Sequence, residues 1–444
     1  MSVINNNVQP LEFLKQFIAI PSVSSDASHK KDMQKAMEFL SKYLEHLGFE
    51  IQTYTVPGAH PLLIAKFFIS KKAKTIAIYG HYDVQPEDPE EEWSFPPFEL
   101  TEKDGLLFGR GTGDDKGHIV QHLLAAEKAI QEKTLQNNLI FIIEGEEEIG
   151  SKHFQELIEK AKNTIQEADM FIIADSGLHE SGAPQFYYGL RGLVYFEIIA
   201  EVADRDLHSG IYGGSVLNPA LVLSRLLSSM INEKGEILIP GFYDDIRSIP
   251  QQEKQDLVKV QGERPRNSDV LSFSDFDTEF PTLNSKIHPS FDINSFVSGS
   301  TGNGAKTIVP KSARAHFSFR LIEHQNPDNI EMLVQKFVEQ HLPKNIRYSL
   351  KAHGKNMPFF TDLHNPVVKK IADILAVHYK KEVQFNRTGG SIPAAETLQR
   401  MFNKPAIVTG FLRDFRIHAP NEYIEKDKFL EGIEAAKALF SSVI

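Results

Sequence analysis

The stretch NLIFIIEGEEEIGS, residues 138–151, passes from an unbroken apolar segment into four glutamates within five positions. Its apolar part shows no alternation of polar and apolar residues, so it reads as a strand covered on both faces rather than one half-exposed to water. The same pattern recurs in LLIAKFFI (62–69), TIAIYG (75–80) and DMFIIAD (169–175). Between these runs lie helical patterns at 118–132 and 152–166, and ahead of them KKDMQKAMEFLSKYLEHLG (30–48). That segment sets Met33, Met37, Leu40, Leu44 and Leu47 at three- and four-residue steps and stops on Gly48, as an amphipathic helix should. Buried strands alternating with helices predict an α/β layer domain, with polar groups gathered at the strand ends.

From about residue 190 the order changes. The patterning predicts strand 193–202, helix 217–231, strands 291–297 and 313–321, helix 327–341 and strand 346–353, the β-α-β-β-α-β order of a ferredoxin-like module. A long irregular insertion, 234–289, interrupts it; connections of that length serve more often as lids or contact arms than as idle links. From 356 onward, NPVVKKIADILAVHY, EVQFNR, PAIVTG and a closing helix EKDKFLEGIEAAKALFSSV resume the α/β pattern. The expected organisation is one discontinuous α/β domain, 1–189 and 356–444, interrupted by a smaller domain at 190–355.

Composition narrows the function classes. A chain of 444 residues exceeds the usual size of a single core. A net charge of -11, with both signs mixed along the chain, offers no electrostatic footprint for nucleic acid or an anionic membrane. No run approaches a membrane span, and the N-terminus lacks the pattern of a signal peptide, so a cytoplasmic location is expected. The absence of cysteine removes disulfides, thiolate metal sites and cysteine nucleophiles together.

Histidines and carboxylates collect at five strand ends: YGHYDVQ (79–85), GRGTGDDKG (109–117), EGEEEIGS (144–151), IIADSG (172–177) and RIHAPNE (416–422). These are the N and O donors that zinc and similar divalent ions take. His81 can ligate through one ring nitrogen while Asp83 fixes the other. Asp114 and Asp115 could favour the start of the following helix through its dipole, or one of them could bridge two cations; spacing alone leaves both open. In EGEEEIGS adjacent carboxylates can diverge, one to a metal and one to the water that metal activates. Alone, the stretch is a solvated acidic loop before an N-cap at Ser151, and for Glu144 and Glu146 that reading stands.

The ordered motifs GHYDVQP, GRGTGDDKG, EGEEEIGS, YGLRG, DLHSGIYGGSV, GAKTIVP and GGSIP resemble those of a known family, from about residue 10 to the C-terminus. The chain resembles the cytosolic nonspecific dipeptidase and carnosinase group of co-catalytic di-metal peptidases. The wider family includes aminoacylases, glutamate carboxypeptidase, acetylornithine deacetylase and succinyl-diaminopimelate desuccinylase. The resemblance implies a zinc-peptidase type of catalytic domain, phosphorylase/hydrolase-like in its α/β fold, with the inserted ferredoxin-like domain serving as lid and dimerisation module. It implies a first metal held by His81 and Asp175, a second by Glu148 and His418, Asp114 bridging the two, and a cis peptide bond between Asp114 and Asp115. Glu147 would be the general base and Asp83 the residue that orients His81. His208 would reach across a homodimer interface to polarise the scissile carbonyl, and Thr307, Arg320 and Ser391 would hold the substrate. An arginine fork suits a free C-terminal carboxylate.

Two divalent ions per chain are therefore expected, zinc first, with manganese or cobalt suited to the same ligands. Departures from the family pattern fall elsewhere. His118 replaces a proline, Glu396 replaces an apolar residue after GGSIPAA, and RDFRIHAPNE lacks an acidic lead-in. Aspartate rather than glutamate at 175 resembles the dipeptidase and aminoacylase branches. Hydrolysis of dipeptides is the leading expectation and deacylation of N-acyl amino acids the second. A non-catalytic binding protein should have lost ligands or base, and this sequence keeps them.

Overall fold

The computed structural model describes residues 9–260, 281–300, 302 and 304–444; the first eight residues and residues 261–280 of the insertion lie outside the described residues. Two compact units form the chain. The first comprises Met1–Tyr188, Thr361–Asn386 and Ile392–Ile444, and the second Gly189–Phe360 with Arg387–Ser391. The short segment 387–391 thus groups with the second unit, although it lies within the third stretch of sequence.

The first unit is built on a mixed sheet. Its strands include β1 (Glu50–Tyr54), β2 (Leu62–Phe67), β3 (Thr75–His81), β4 (Asn138–Glu144), β5 (Met170–Ile173) and β6 (Gln185–Leu190), together with Ala406–Val408. They lie in the order β1, β2, β4, β3, β5, Ala406–Val408, β6. Every residue of β3, β4 and β5 is buried, as continuous apolar runs require. Burying one large aliphatic or aromatic side chain contributes about 1.5–3 kcal/mol, so three such strands anchor the unit. β3 runs parallel to β4, from Thr75 opposite Asn138 to His81 opposite Glu144, and parallel to β5 on its other side. Their C-terminal ends therefore share one edge of the sheet. His81 is the last residue of β3, Glu144 the last of β4, and Asp175 lies two positions past β5. These three ends and the connections leaving them carry His81, Asp114, Glu148 and Asp175, and His418 follows Ala406–Val408.

Helices cover the sheet: α1 (Lys30–His46), α2 (Lys116–Gln131) and α3 (Phe154–Ile165). α2 is buried almost all round, including His118, Gln121 and His122, which is why its sequence shows little amphipathic contrast. Among the described residues, no helix is long and apolar enough to cross a membrane.

In the second unit β7 (Gly192–Glu201), α4 (Pro219–Ser229), β8 (Ser290–Ser298), β9 (Ser312–Leu321), α6 (Pro327–His341) and β10 (Arg347–Asn356) follow the expected β-α-β-β-α-β order. An antiparallel sheet of order β8, β9, β7, β10 results. Strict alternation of buried and half-buried residues along β7 shows that one sheet face is apolar. Val194, Phe196, Ile198 and Ala200 pack there with Leu223 and Leu227 of α4 and Val334 and Phe337 of α6. The insertion is not wholly irregular: it contains α5 (Gln251–Val260) and a short helix, Pro281–Ile287.

Candidate metal centre

At the end of β3 the fully buried ring of His81 is clamped from behind. Its Nδ1 lies 3.1 Å from the Asp83 carbonyl oxygen and 3.3 Å from Oδ1 of the Asp83 carboxylate. A proton on Nδ1 satisfies both and leaves the Nε2 lone pair free for a cation. Asp83, itself buried, also accepts from the backbone N–H groups of Glu147 at 3.3 Å and Glu148 at 3.1 Å. One carboxylate thus aligns the β3 end with the glutamate turn after β4. Gly80 allows the approach of the neighbouring loop, since a Cβ there would lie 2.6 Å from Asp115 Oδ2.

GRGTGDDKG closes into α2 through a cis Asp114–Asp115 peptide bond. Asp115 occupies the N-cap position, yet its carboxylate makes no cap and instead accepts from the His81 N–H at 2.9 Å. Asp114 faces two imidazoles: Oδ1 is 3.0 Å from His81 Nε2, and Oδ2 is 2.9 Å from His418 Nε2.

The glutamate turn separates into four roles. Glu144 and Glu146 are buried, contrary to the solvated reading. Glu144 accepts from Tyr79 Oη at 2.6 Å and Ser151 Oγ at 3.0 Å, and Glu146 from the N–H groups of His60 and His153. Ser151 caps no helix; its hydroxyl serves Glu144, its φ is 50°, and α3 starts at Phe154. Local sequence could not reveal this, because partners up to 86 residues away define which carboxylates turn inward. Glu148 Oε2 lies 3.1 Å from His418 Nε2, and Gln85 donates to the same carboxylate at 2.7 Å. Glu147 stays out of these pairings, its carboxyl pushed well up by burial and by the facing Asp175.

Two groups that could hold a metal ion emerge: His81, Asp114 and Asp175, and Asp114, Glu148 and His418, with the donor atoms of each within 4.8 Å of one another. They share Asp114. Their charge balance fits divalent cations. Burial and the Asp114 charge push Asp175 up to about 7, while Asp114 and Glu148 push His418 up to about 10. Positive charge is favoured at both places, and two imidazoles with three carboxylates form the N and O donor set of zinc or manganese.

Glu422 belongs to this centre although sequence reasoning passed over it. Fully buried, it accepts from the N–H groups of Gly111, Gly113 and Asp114 at 3.0, 2.7 and 3.2 Å, and from Arg110 Nη1 at 2.8 Å. It ties the Asp114 loop to the His418 segment, four residues upstream of itself. The signal was present in HAPNE, a carboxylate just past a candidate ligand. Removing Arg110 leaves this carboxylate buried without its cation, so Arg110→Met is expected to lower stability by roughly 3 kcal/mol. Urea unfolding checks this; a loss under about 1 kcal/mol would mean that the backbone N–H groups suffice.

The other expected site residues fall in the second unit. His208 is exposed, pairs with Ile308 in a two-residue ladder, and accepts from the Gly210 N–H at 3.0 Å. Thr307 adjoins it, its carbonyl accepting from Ser209 N–H at 3.0 Å. Arg320 is the penultimate residue of β9, and Ser391 ends the segment 387–391. Glu396 is buried in the first unit and paired with Arg400 at 2.7 Å. His118 is a core residue whose ring burial pushes down to about 3.

Residues 77–442 match the Peptidase family M20/M25/M40. The Cys-Gly metallodipeptidase dug1 of Schizosaccharomyces pombe is 30% identical, over 95% of this chain and 92% of its own. The human Beta-Ala-His dipeptidase is 29% identical over 97% and 89%. Among solved structures, an M20 family metallo-carboxypeptidase from Sulfolobus solfataricus superposes with a TM-score of 0.87 at 30% identity, covering 98% of this chain and 99% of that one. The Saccharomyces cerevisiae di-peptidase Dug1p gives 0.78 at 28% identity, covering 98% and 95%. With its two candidate ligand groups joined at Asp114 and the match spanning most of its length, the chain belongs to the peptidase family M20/M25/M40.

Proposed function

We propose that this protein hydrolyses the peptide bond of dipeptides, and of similarly short peptides with a free C-terminal carboxylate, with two divalent ions held by the two ligand groups. The observation that carries the reading is Asp114 facing both His81 and His418 while Glu147, one residue from the ligand Glu148, remains outside both groups. When bound, the ions supply Lewis acidity and bring the pKa of a water toward neutrality. Glu147 takes the proton of the attacking water and hands it to the leaving amine. Asp83 holds His81 in the tautomer that ligates.

In the second unit Arg320 receives the substrate carboxylate, with Thr307 and Ser391 completing the contacts. In support, Arg320 has no carboxylate partner among the described residues, and its fork suits a carboxylate. The second unit serves as lid and dimerisation domain, with His208 polarising the scissile carbonyl of a substrate bound in the partner subunit of a homodimer. Its exposed imidazole and the exposed apolar residues Ile211, Leu221, Ile293 and Phe296 support that role.

A panel of dipeptides, N-acetyl and N-succinyl amino acids, run with zinc, manganese or cobalt after chelation, tests the reading. Dipeptides are expected to be turned over at least about tenfold better in kcat/KM, a margin of about 1.4 kcal/mol in the transition state. A preference for the acyl amino acids would replace the peptidase reading with deacylation.

A further inference from the structure

Phe360 is flanked by two arginines, with guanidinium carbons 4.9 Å (Arg247) and 5.6 Å (Arg387) from its ring centroid. Arg387 is 1% exposed and grips Glu323 with both terminal nitrogens, at 2.8 and 2.6 Å, while Nη2 also reaches Glu253 at 2.9 Å. Arg247 donates to Glu323 at 3.0 Å and to both oxygens of Glu253, at 2.9 and 2.8 Å. Two cations and two anions thus interlock, each arginine reaching both glutamates.

Its members come from three places. Glu253 lies in the first turn of α5 and Arg247 just before it, so both belong to the insertion. Glu323 lies three residues beyond Arg320, past the end of β9. Arg387 opens the segment that ends at Ser391. Further along that segment, Arg191 holds the carbonyls of Gly389, from Nε at 3.3 Å, and of Gly390, from its backbone N–H at 3.1 Å. The segment is therefore fixed at its first residue by charge and near its last by Arg191.

Bidentate arginine–carboxylate pairs fix geometry as well as contributing energy. A buried ion pair is a weak source of net stability compared with apolar packing, so its retention points toward specifying one arrangement. We infer that Arg387 is a positioning residue: with Glu323, Glu253 and Arg247 it sets where Ser391 and Arg320 stand, and the insertion acts as a brace for the substrate end. The inference rests on the reading of Ser391 and Arg320 as substrate contacts.

Glu253→Gln loosens the insertion's link while leaving the Arg387–Glu323 pair whole. With a dipeptide it is expected to raise KM about tenfold with kcat within about threefold, the pattern of lost ground-state binding. Backbone amide exchange in 387–391 should accelerate by a similar factor. Arg387→Met should do more, and Arg387→Lys should recover only part. Where Arg387→Met fails to fold, the double variant Arg387→Met/Glu323→Met removes the pair and leaves Arg247 with Glu253, so stability returns while KM stays raised.

Unchanged KM and exchange in Glu253→Gln and in the double variant would overturn the brace, as would faster exchange without a KM change while Ser391→Ala raises KM. If Ser391→Ala and Arg320→Ala both leave KM unchanged, the substrate-contact reading fails instead. Exchange in 387–391 alone then decides the brace, unchanged protection overturning it.

Discussion

Glu147→Gln is expected to bind two metal ions per chain like the parent and to lose about 10²–10⁴-fold in kcat, the range that a positioned general base contributes. The substitution keeps size and shape and removes the ability to take a proton. It should not disturb the turn, because that turn is fixed through the backbone: the N–H groups of residues 147 and 148 both bond to Asp83. Glu148 keeps its approach to His418 and its bond from Gln85. Burial and the neighbouring Asp175 push the Glu147 carboxyl up. KM should stay within about threefold, since the group acts on the transition state and not on bound substrate. Metal analysis alongside steady-state kinetics separates the outcomes. Loss of an ion would make Glu147 a ligand, and turnover within about threefold of the parent would remove it from the mechanism.

Much of the first unit was legible because its central strands are buried on both faces. Continuous apolar runs at 75–80, 138–143 and 169–174 leave little choice of element, and parallel pairing then brings His81, Glu144 and Asp175 to one edge. Short or mixed strands carried no such signal. Glu50–Tyr54 has no fully buried residue, and Gln185–Leu190 was missed although Phe186, Tyr188 and Leu190 are buried, because Gln185 and Gly189 interrupt its apolar residues. Likewise Glu144 and Glu146 looked solvated, since nothing local tells which members of an acidic run turn inward to Tyr79 or His153. The Arg387 cluster was hidden for the same reason. Its bonds span 64 and 134 residues, and the partner Glu253 sits in a segment whose composition reads as irregular.

Asp114→Asn is expected to lose metal at both positions, because one side chain faces both imidazoles. Oδ1 stands 3.0 Å from His81 Nε2 and Oδ2 stands 2.9 Å from His418 Nε2. An amide placed there must turn its NH₂ toward one of them, so at least one group loses its shared donor outright. The other loses the negative charge that offsets a divalent ion. Disturbing a residue behind a ligand already costs about 10–100-fold in metal affinity, so losing the bridging ligand should cost more than about 100-fold. Asp175→Ala and His418→Ala strike one group each and should each retain about one ion per chain under conditions that fill both sites of the parent. Equilibrium dialysis with zinc or manganese distinguishes the three variants without reference to turnover. The backbone of residue 114 remains bonded to Glu422 at 3.2 Å, so the loop has an anchor independent of the side chain, and unchanged circular dichroism is expected. Two ions retained by Asp114→Asn would break the shared-ligand arrangement.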